Sequence, residues 1–69
     1  MNRESVKSSM LKSVGYDESQ GILQVEFNNG KVFDYFNVPP VVFREMMESD
    51  SAGKYFHKNV KSSFESREA

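Results

Sequence analysis

Residues 22–36 read ILQVEFNNGKVFDYF and decide the fold, because two segments rich in β-forming residues flank a turn sequence. In the first segment apolar and polar residues alternate strictly, which places Leu23, Val25 and Phe27 on one face of a strand. The turn residues at 28–30 then reverse the chain into a second strand. This stretch therefore predicts a β-hairpin with one apolar face.

The length of the hairpin loop decides which side chains meet across the two strands. A two-residue loop would set Val25 beside Asp34. A three-residue loop, with Gly30 in the left-handed conformation, sets Val25 beside Phe33 instead. We favour the three-residue loop because it gathers the apolar side chains on one face of the sheet.

A further strand is predicted before the hairpin, over residues 10–16. Leu11, Val14 and Tyr16 do not keep the strict alternation of a regular strand. A β-bulge near residues 12–13 would place all three side chains on one face of the sheet. We therefore expect a bulged strand beside the first strand of the hairpin.

Two helices are predicted after the hairpin. Pro39 and Pro40 end the sheet, because proline cannot donate to a ladder and suits the first turn of a helix. Apolar residues at spacings of three and four then predict helices over residues 41–48 and 52–60, with capping side chains at 49–51. The predicted centre of the core consists of Leu23, Val25, Phe27, Phe33, Phe43, Met46 and Phe56.

These elements define one α+β domain over residues 1–69, a three-stranded antiparallel meander followed by two short helices packed on one sheet face. Six Phe and three Tyr supply the core of a 69-residue chain that has no Cys and therefore no disulfide. Residues 1–8 and 65–69 are mostly polar, so we expect them to fray, although residues 1–9 are also consistent with an edge segment that starts the fold.

The side chains needed for catalysis or for a metal ion are few. The chain has no Cys and one His, so the usual combinations of nucleophile, base and orienting group are missing. No spacing of carboxylates or glycines marks an acid–base pair, a phosphate loop or a dinucleotide site. We therefore expect no enzyme activity, no cofactor and no metal site.

The sequence contains neither a long apolar segment nor the apolar core of a signal peptide. We therefore expect a cytoplasmic chain that has no membrane partner. A formal net charge of -1 predicts no strong global attraction to nucleic acid, so any such attraction must come from a local patch.

One local basic patch is predicted on the second helix. It consists of Lys54, His57, Lys58 and Lys61, at steps of three and four residues with no acidic residue between them. Such a stripe suits contacts with phosphates, although a solvated helix face gives the same pattern. Tyr35 is a further candidate, because an exposed ring on a sheet stacks on bases. The competing interpretation is that so small a domain needs its aromatic rings in the core.

Short motifs follow one another along the chain, namely Ser8-Ser9, Val14-Gly15-Tyr16-Asp17, Leu23-Gln24-Val25-Glu26-Phe27, Gly30, Phe33-Asp34-Tyr35, Val38-Pro39, Ser51-Ala52-Gly53 and Tyr55-Phe56. This ordered set resembles the KTSC family, which is named after the C-terminal domain of some lysyl-tRNA synthetases and also occurs as small bacterial and phage-type proteins. The family's central Tyr-x-Tyr signature falls on Phe33 and Tyr35, so the first hydroxyl is absent here. The resemblance implies no established activity, and it suggests RNA only through attachment to a tRNA-handling enzyme.

Two functions are consistent with these features. The leading hypothesis is a non-catalytic module that binds RNA, with phosphates contacting the basic patch. The alternative is a protein-interaction or self-associating module, such as a homodimer, that uses an exposed apolar sheet face around Ile22, Val32 and Phe36.

Overall fold

The computed structural model describes residues 2–69 and contains a five-stranded antiparallel sheet and two helices. The elements are β1 (Arg3–Ser5), β2 (Leu11–Asp17), β3 (Ile22–Phe27), β4 (Val32–Tyr35), α1 (Pro40–Glu48), α2 (Ala52–Asn59) and β5 (Ser66–Glu68). The strands lie in the order β1-β2-β3-β4-β5, so each strand pairs with its neighbour in sequence. Both helices belong to the connection between β4 and β5, and the α+β class is confirmed.

The β3–β4 hairpin has the three-residue loop that we favoured. Val25 pairs with Phe33, and Leu23 pairs with Tyr35. Gly30 has a φ of 89°, a left-handed conformation that a side chain makes costly and that glycine adopts freely. The predicted register is therefore confirmed.

The predicted β-bulge is present in β2. The pairing of β2 with β3 shifts its register between Leu11 and Ser13, which leaves Lys12 as the extra residue. The shift allows Leu11, Val14 and Tyr16 all to pair with residues on the apolar face of β3.

The core lies between one face of the sheet and the two helices. Phe56 of α2 is fully buried, and its ring meets the rings of Phe27 and Tyr35 edge-on, at centroid separations of 5.6 Å and 5.3 Å. Tyr16 stacks on Phe43 of α1 with the ring centroids 5.2 Å apart. The buried apolar residues are Leu11, Val14, Leu23, Val25, Tyr35, Val38, Met46, Ala52, Phe56 and Val60.

Leu23, Val25, Met46 and Phe56 are buried as predicted, but the predicted core also included residues that lie at its margin. Phe27, Phe33 and Phe43 are only half-buried and pack against the outside of the buried cluster. Phe27 and Phe33 lie beside the hairpin loop, where their rings contact each other at a centroid separation of 5.8 Å. Both rings keep part of their surface in solvent, although Phe27 also contacts Phe56 of α2.

The three-stranded prediction is wrong at both ends of the chain. Residues 3–5 and 66–68, which we expected to lie in frayed ends, form the edge strands β1 and β5. Both strands are exposed along their whole length, so no apolar alternation marked them in the sequence. Polar contacts help to hold them, since Arg3 Nη1 donates to Gln24 Oε1 at 2.8 Å. Met1 lies outside the described residues.

Replacing Phe56 by Ala is expected to destabilise the domain by about 3–5 kcal/mol, because a fully buried ring leaves a large cavity. Val41→Ala is the matched control, since Val41 is the one large apolar side chain among residues 2–69 that is exposed, at 40%. Urea titrations followed by circular dichroism measure both changes. A Phe56→Ala variant that unfolds at the same urea concentration as the Val41→Ala variant would contradict this core.

Replacing Gly30 by Ala is expected to cost about 1–2 kcal/mol, because a side chain disfavours the left-handed backbone. A Cβ atom at position 30 would have no heavy atom within 4 Å, so the cost is conformational and not steric. Gly30→Asn should cost less, since Asn tolerates this conformation better than Ala. Equal stability of all three proteins in urea would exclude a left-handed Gly30.

Candidate nucleic-acid interface

The predicted basic patch lies on the solvent side of α2. Lys54, His57, Lys58 and Lys61 are all exposed. The opposite side of the helix carries the buried side chain of Phe56, which fixes the direction in which the basic side chains point. Lys61 lies in the turn after α2, where its backbone N–H donates to the Phe56 carbonyl at 2.9 Å.

The start of α2 is fixed by a capping hydrogen bond. Ser51 Oγ accepts the backbone N–H of Lys54 at 3.2 Å, as expected of an N-cap residue. Further along the helix, the Tyr55 hydroxyl donates to Glu45 Oε1 of α1 at 2.9 Å. The helix is therefore held at its N-terminus and against α1, and its basic side remains free.

The positive charge of the patch is not neutralised by ion pairs. Within residues 2–69, the one ion pair closer than 4.0 Å joins Arg3 and Glu26, on the other face of the sheet. In the described part of the chain, no carboxylate therefore lies within 4.0 Å of the patch nitrogens. Exposed cations without a partner favour an anionic ligand.

A groove separates α2 from the connection between β1 and β2. It has a volume of about 320 Å³, and we call it the loop–helix groove. Its lining residues are Ser8, Ser9, Met10, Ser51, Gly53, Lys54 and His57. Two patch residues, Lys54 and His57, therefore lie on one of its walls, and the β1–β2 connection forms the other.

The two walls touch at Gly53. A Cβ atom at this position would lie 2.2 Å from Ser8 Oγ, so only glycine allows so close an approach. Ser8 Oγ also accepts the backbone N–H groups of Met10 and Leu11, at 3.1 Å and 3.2 Å. Ser8 is thus packed tightly between its own loop and the helix.

Lys58 borders a second groove of about 550 Å³, which it shares with Lys54. This groove lies beside the turn between the helices and also contains Asp50. The structure therefore brings Lys54, His57 and Lys58 to two grooves that meet at Lys54, whereas Lys61 borders neither of them.

The Tyr35 ring is buried and not exposed on the sheet, which corrects the premise of the stacking prediction. Its side chain is only 4% exposed and packs edge-on against Phe56. Base stacking needs an open ring face, and the core already covers this one. Burial also raises the pKa of the Tyr35 hydroxyl above its usual value.

The open face of the sheet carries polar side chains at its middle. Gln24 Nε2 donates to Asp34 Oδ1 at 2.9 Å, and Gln24 also accepts from Arg3. Ile22 and Val32, two residues of the alternative apolar surface, are half-buried and lie on either side of Gln24 along the hairpin. The apolar surface expected on this face is therefore interrupted by the hydrogen-bonded pair of Gln24 and Asp34.

The third residue of the alternative surface, Phe36, also contacts a charged side chain. The guanidinium carbon of Arg67 lies 5.6 Å from the centroid of the Phe36 ring, in a cation–π arrangement. This contact covers part of the ring and helps to hold β5 at the edge of the sheet.

Local contacts shift the pKa of Tyr55 in α2 and of Asp17 in the β2–β3 turn. Burial, followed by the contact with Glu45, raises the pKa of the Tyr55 hydroxyl. A hydrogen bond from Ser19 lowers the pKa of Asp17 in the β2–β3 turn.

Within residues 2–69 no three His, Cys, Asp or Glu side chains converge on a possible metal position. No helix in the described chain has the length and apolar character for crossing a membrane.

The sequence of this chain matches a known domain family. The KTSC domain family matches residues 7–64. The chain belongs to this family. The resemblance of the short motifs is therefore confirmed, and the match includes both walls of the loop–helix groove while leaving β1 and β5 outside.

Three proteins are similar to this chain over most of its length. An uncharacterized protein of Stutzerimonas stutzeri is 44% identical over 61 residues, which cover 88% of this chain and 86% of that protein. The crystal structure of a KTSC domain protein from Yersinia pestis has a TM-score of 0.92 and 30% identity, over 99% of this chain and 96% of that one. A lysine–tRNA ligase of Trichormus variabilis is 38% identical over 58 residues, which cover 84% of this chain and 10% of the ligase.

Sequence reasoning found the helix wall of the loop–helix groove and missed its second wall. The exposed cations of α2 were visible as a periodic pattern, whereas Ser8, Ser9 and Met10 lie far from them in sequence. The available signal was Gly53. A glycine inside a helix lowers stability, so its presence often indicates that another group approaches the helix backbone closely.

Replacing Gly53 by Ala is expected to destabilise the domain by about 1–3 kcal/mol, because the new methyl group overlaps Ser8 Oγ. Ser8→Ala alone removes the acceptor of two loop hydrogen bonds and should also destabilise the fold. The double variant should be more stable than the sum of the two losses predicts, since Ser8→Ala removes the overlapping atom. A double-mutant cycle in urea with strictly additive effects would show that Gly53 and Ser8 are not in contact.

Proposed function

We propose that this KTSC domain is a non-catalytic module that binds single-stranded RNA through the basic patch of α2. The observation that carries the proposal is the set of exposed cations on one side of a firmly anchored helix, with no carboxylate within 4.0 Å among residues 2–69. A polyanionic ligand gains most from such a surface, because it releases its own counterions on binding.

The relatives add support of a different kind. The related segments of cyanobacterial proteins belong to chains named lysine–tRNA ligase, and their name states that tRNA is a substrate of those enzymes. A domain attached to such an enzyme lies close to RNA, which favours RNA over other polyanions as the ligand. This support is only by association, so the proposal rests mainly on the exposed basic side chains of the patch.

The expected affinity is modest. Each phosphate contact on a single strand contributes about -0.7 to the slope of log affinity against log salt concentration, so three lysine contacts predict a slope of about -2. With so few contacts, binding is expected at low salt and should weaken markedly at physiological salt. Such a domain would add affinity to a larger assembly or act through several copies.

Binding without turnover agrees with the side chains that surround the patch. His57 is the only imidazole of the chain, and no Cys accompanies it. The hydroxyl of Ser51 already accepts a backbone hydrogen bond as an N-cap, and Tyr55 donates to Glu45. We therefore propose that the patch positions phosphates and performs no covalent chemistry on them.

The alternative proposal is a protein-interaction or self-associating module that uses the open sheet face. Ile22, Val32 and Phe36 are half-buried there, but the hydrogen-bonded pair Gln24 and Asp34 interrupts the apolar surface. An interface of this kind would tolerate salt and make the measured mass depend on protein concentration. Sedimentation at several concentrations distinguishes it from RNA binding.

Changing Lys54, Lys58 and Lys61 to Gln is expected to remove most of the affinity for a labelled single-stranded RNA while leaving the fold intact, because all three side chains are exposed. The matched control changes Lys7, Lys12 and Lys31 to Gln, which alters the net charge equally at exposed positions outside α2. Fluorescence anisotropy at two or more salt concentrations gives both the affinity and the slope. Equal binding by the two triple variants, or no binding by the parent protein at low salt, would overturn the RNA proposal.

A further inference from the structure

We propose that the loop–helix groove holds one nucleotide of the bound RNA, with a phosphate at Lys54 and His57 and the nucleoside against the β1–β2 connection. This inference rests on the proposed function and assigns a definite position to one unit of the ligand. It also extends the interface from α2 to three residues of a second element, namely Ser8, Ser9 and Met10.

The groove is built in advance of any ligand. Its loop wall is tied to the helix by the close approach of Ser8 to Gly53. The same loop is tied to the β3–β4 hairpin, because Asn28 N–H donates to the Met10 carbonyl at 3.0 Å and Asn28 Nδ2 donates to the Ser8 carbonyl at 3.3 Å. A wall held from both sides keeps its shape, so little conformational entropy is lost when a ligand enters.

The charges of the groove suit a phosphate. Its titratable lining residues are Lys54 and His57, and no carboxylate belongs to the lining. The groove beside Lys58 differs in this respect, since Asp50 lines it. A further groove, on the open sheet face, is lined by Glu26. The loop–helix groove therefore offers a phosphate group the ammonium group of Lys54, with no carboxylate among its own lining residues.

Two backbone N–H groups near the start of α2 are already hydrogen-bonded within the protein, and the proposal places the phosphate at side chains. The Lys54 N–H is taken by Ser51 Oγ, and the Tyr55 N–H donates to the Ser51 carbonyl at 3.0 Å. The phosphate position is thus set by the ammonium group of Lys54 and the imidazole of His57, which lie one helical turn apart on the same side of α2.

The remaining lining matches the other parts of a nucleotide. Ser9 is exposed and offers a hydroxyl group to a ribose, while Met10 offers an apolar and polarizable surface to a base. The volume of about 320 Å³ lies at the lower end of the range for small-molecule pockets, which suits one nucleotide and not a longer segment. A simple anion would leave the Met10 side of the groove unused.

The test uses uridine 5'-monophosphate and a short oligouridylate with the full chain labelled with nitrogen-15. We expect the nucleotide to shift the amide resonances of residues 8–10 and 51–57. Ser9→Asp, which adds a carboxylate at an exposed position on the loop wall, should weaken binding of both ligands by about tenfold through repulsion of the phosphate. Gln20→Glu adds the same charge in the remote β2–β3 turn and should change neither affinity by more than about twofold.

The outcomes separate this inference from the function on which it rests. If the oligouridylate binds with its salt dependence but Ser9→Asp binds as tightly as Gln20→Glu, or the nucleotide shifts resonances elsewhere, the groove is not the nucleotide position and the RNA proposal stands. If the parent protein binds no oligouridylate at low salt, the proposed function fails and this inference fails with it.

Discussion

The packing of the Phe56 ring against the sheet is the interaction on which the rest of this structure depends. The ring meets Phe27 and Tyr35 edge-on, and its burial is complete. Because it fixes the rotation of α2, it also decides that Lys54 and its basic neighbours face solvent and that Gly53 faces the β1–β2 connection. One buried aromatic contact thus produces both the basic patch and one wall of the groove beside it.

The two faces of the sheet differ in composition and in what they stabilise. The covered face supplies the apolar core, which a chain of 69 residues needs in full because its surface is large relative to its volume. The open face has few apolar side chains left, and the hydrogen bonds from Arg3 to Gln24 and from Gln24 to Asp34 connect β1, β3 and β4. These polar contacts, together with Arg67 over Phe36, attach edge strands that bury almost nothing.

The sequence predicted local structure well where apolar spacing or turn chemistry decides it. The register of Val25 with Phe33, the left-handed Gly30 and the bulge after Leu11 all followed from the need to gather apolar side chains on one face. The edge strands were missed because exposed three-residue strands leave no periodic pattern. Their pairing depends on backbone hydrogen bonds and long side chains that reach across the sheet.

The residues of the candidate site were also predicted only in part. The cations of α2 share one element, so their spacing revealed them, whereas Ser9 and Met10 reach the groove only through the tertiary contact at Gly53. Tyr35 was assigned to the surface as one of two interpretations, and the structure places it in the core because its position in β4 faces α2.

We propose that the helix side of this KTSC domain, and not its open sheet face, contacts RNA. Ultraviolet crosslinking to an oligouridylate at low salt, followed by mass spectrometry of the peptides, tests this proposal. We expect crosslinks within residues 8–10 and 51–61. Crosslinks confined to the open sheet face, at residues 22–26 or 32–36, or the absence of any crosslinked peptide, would contradict it.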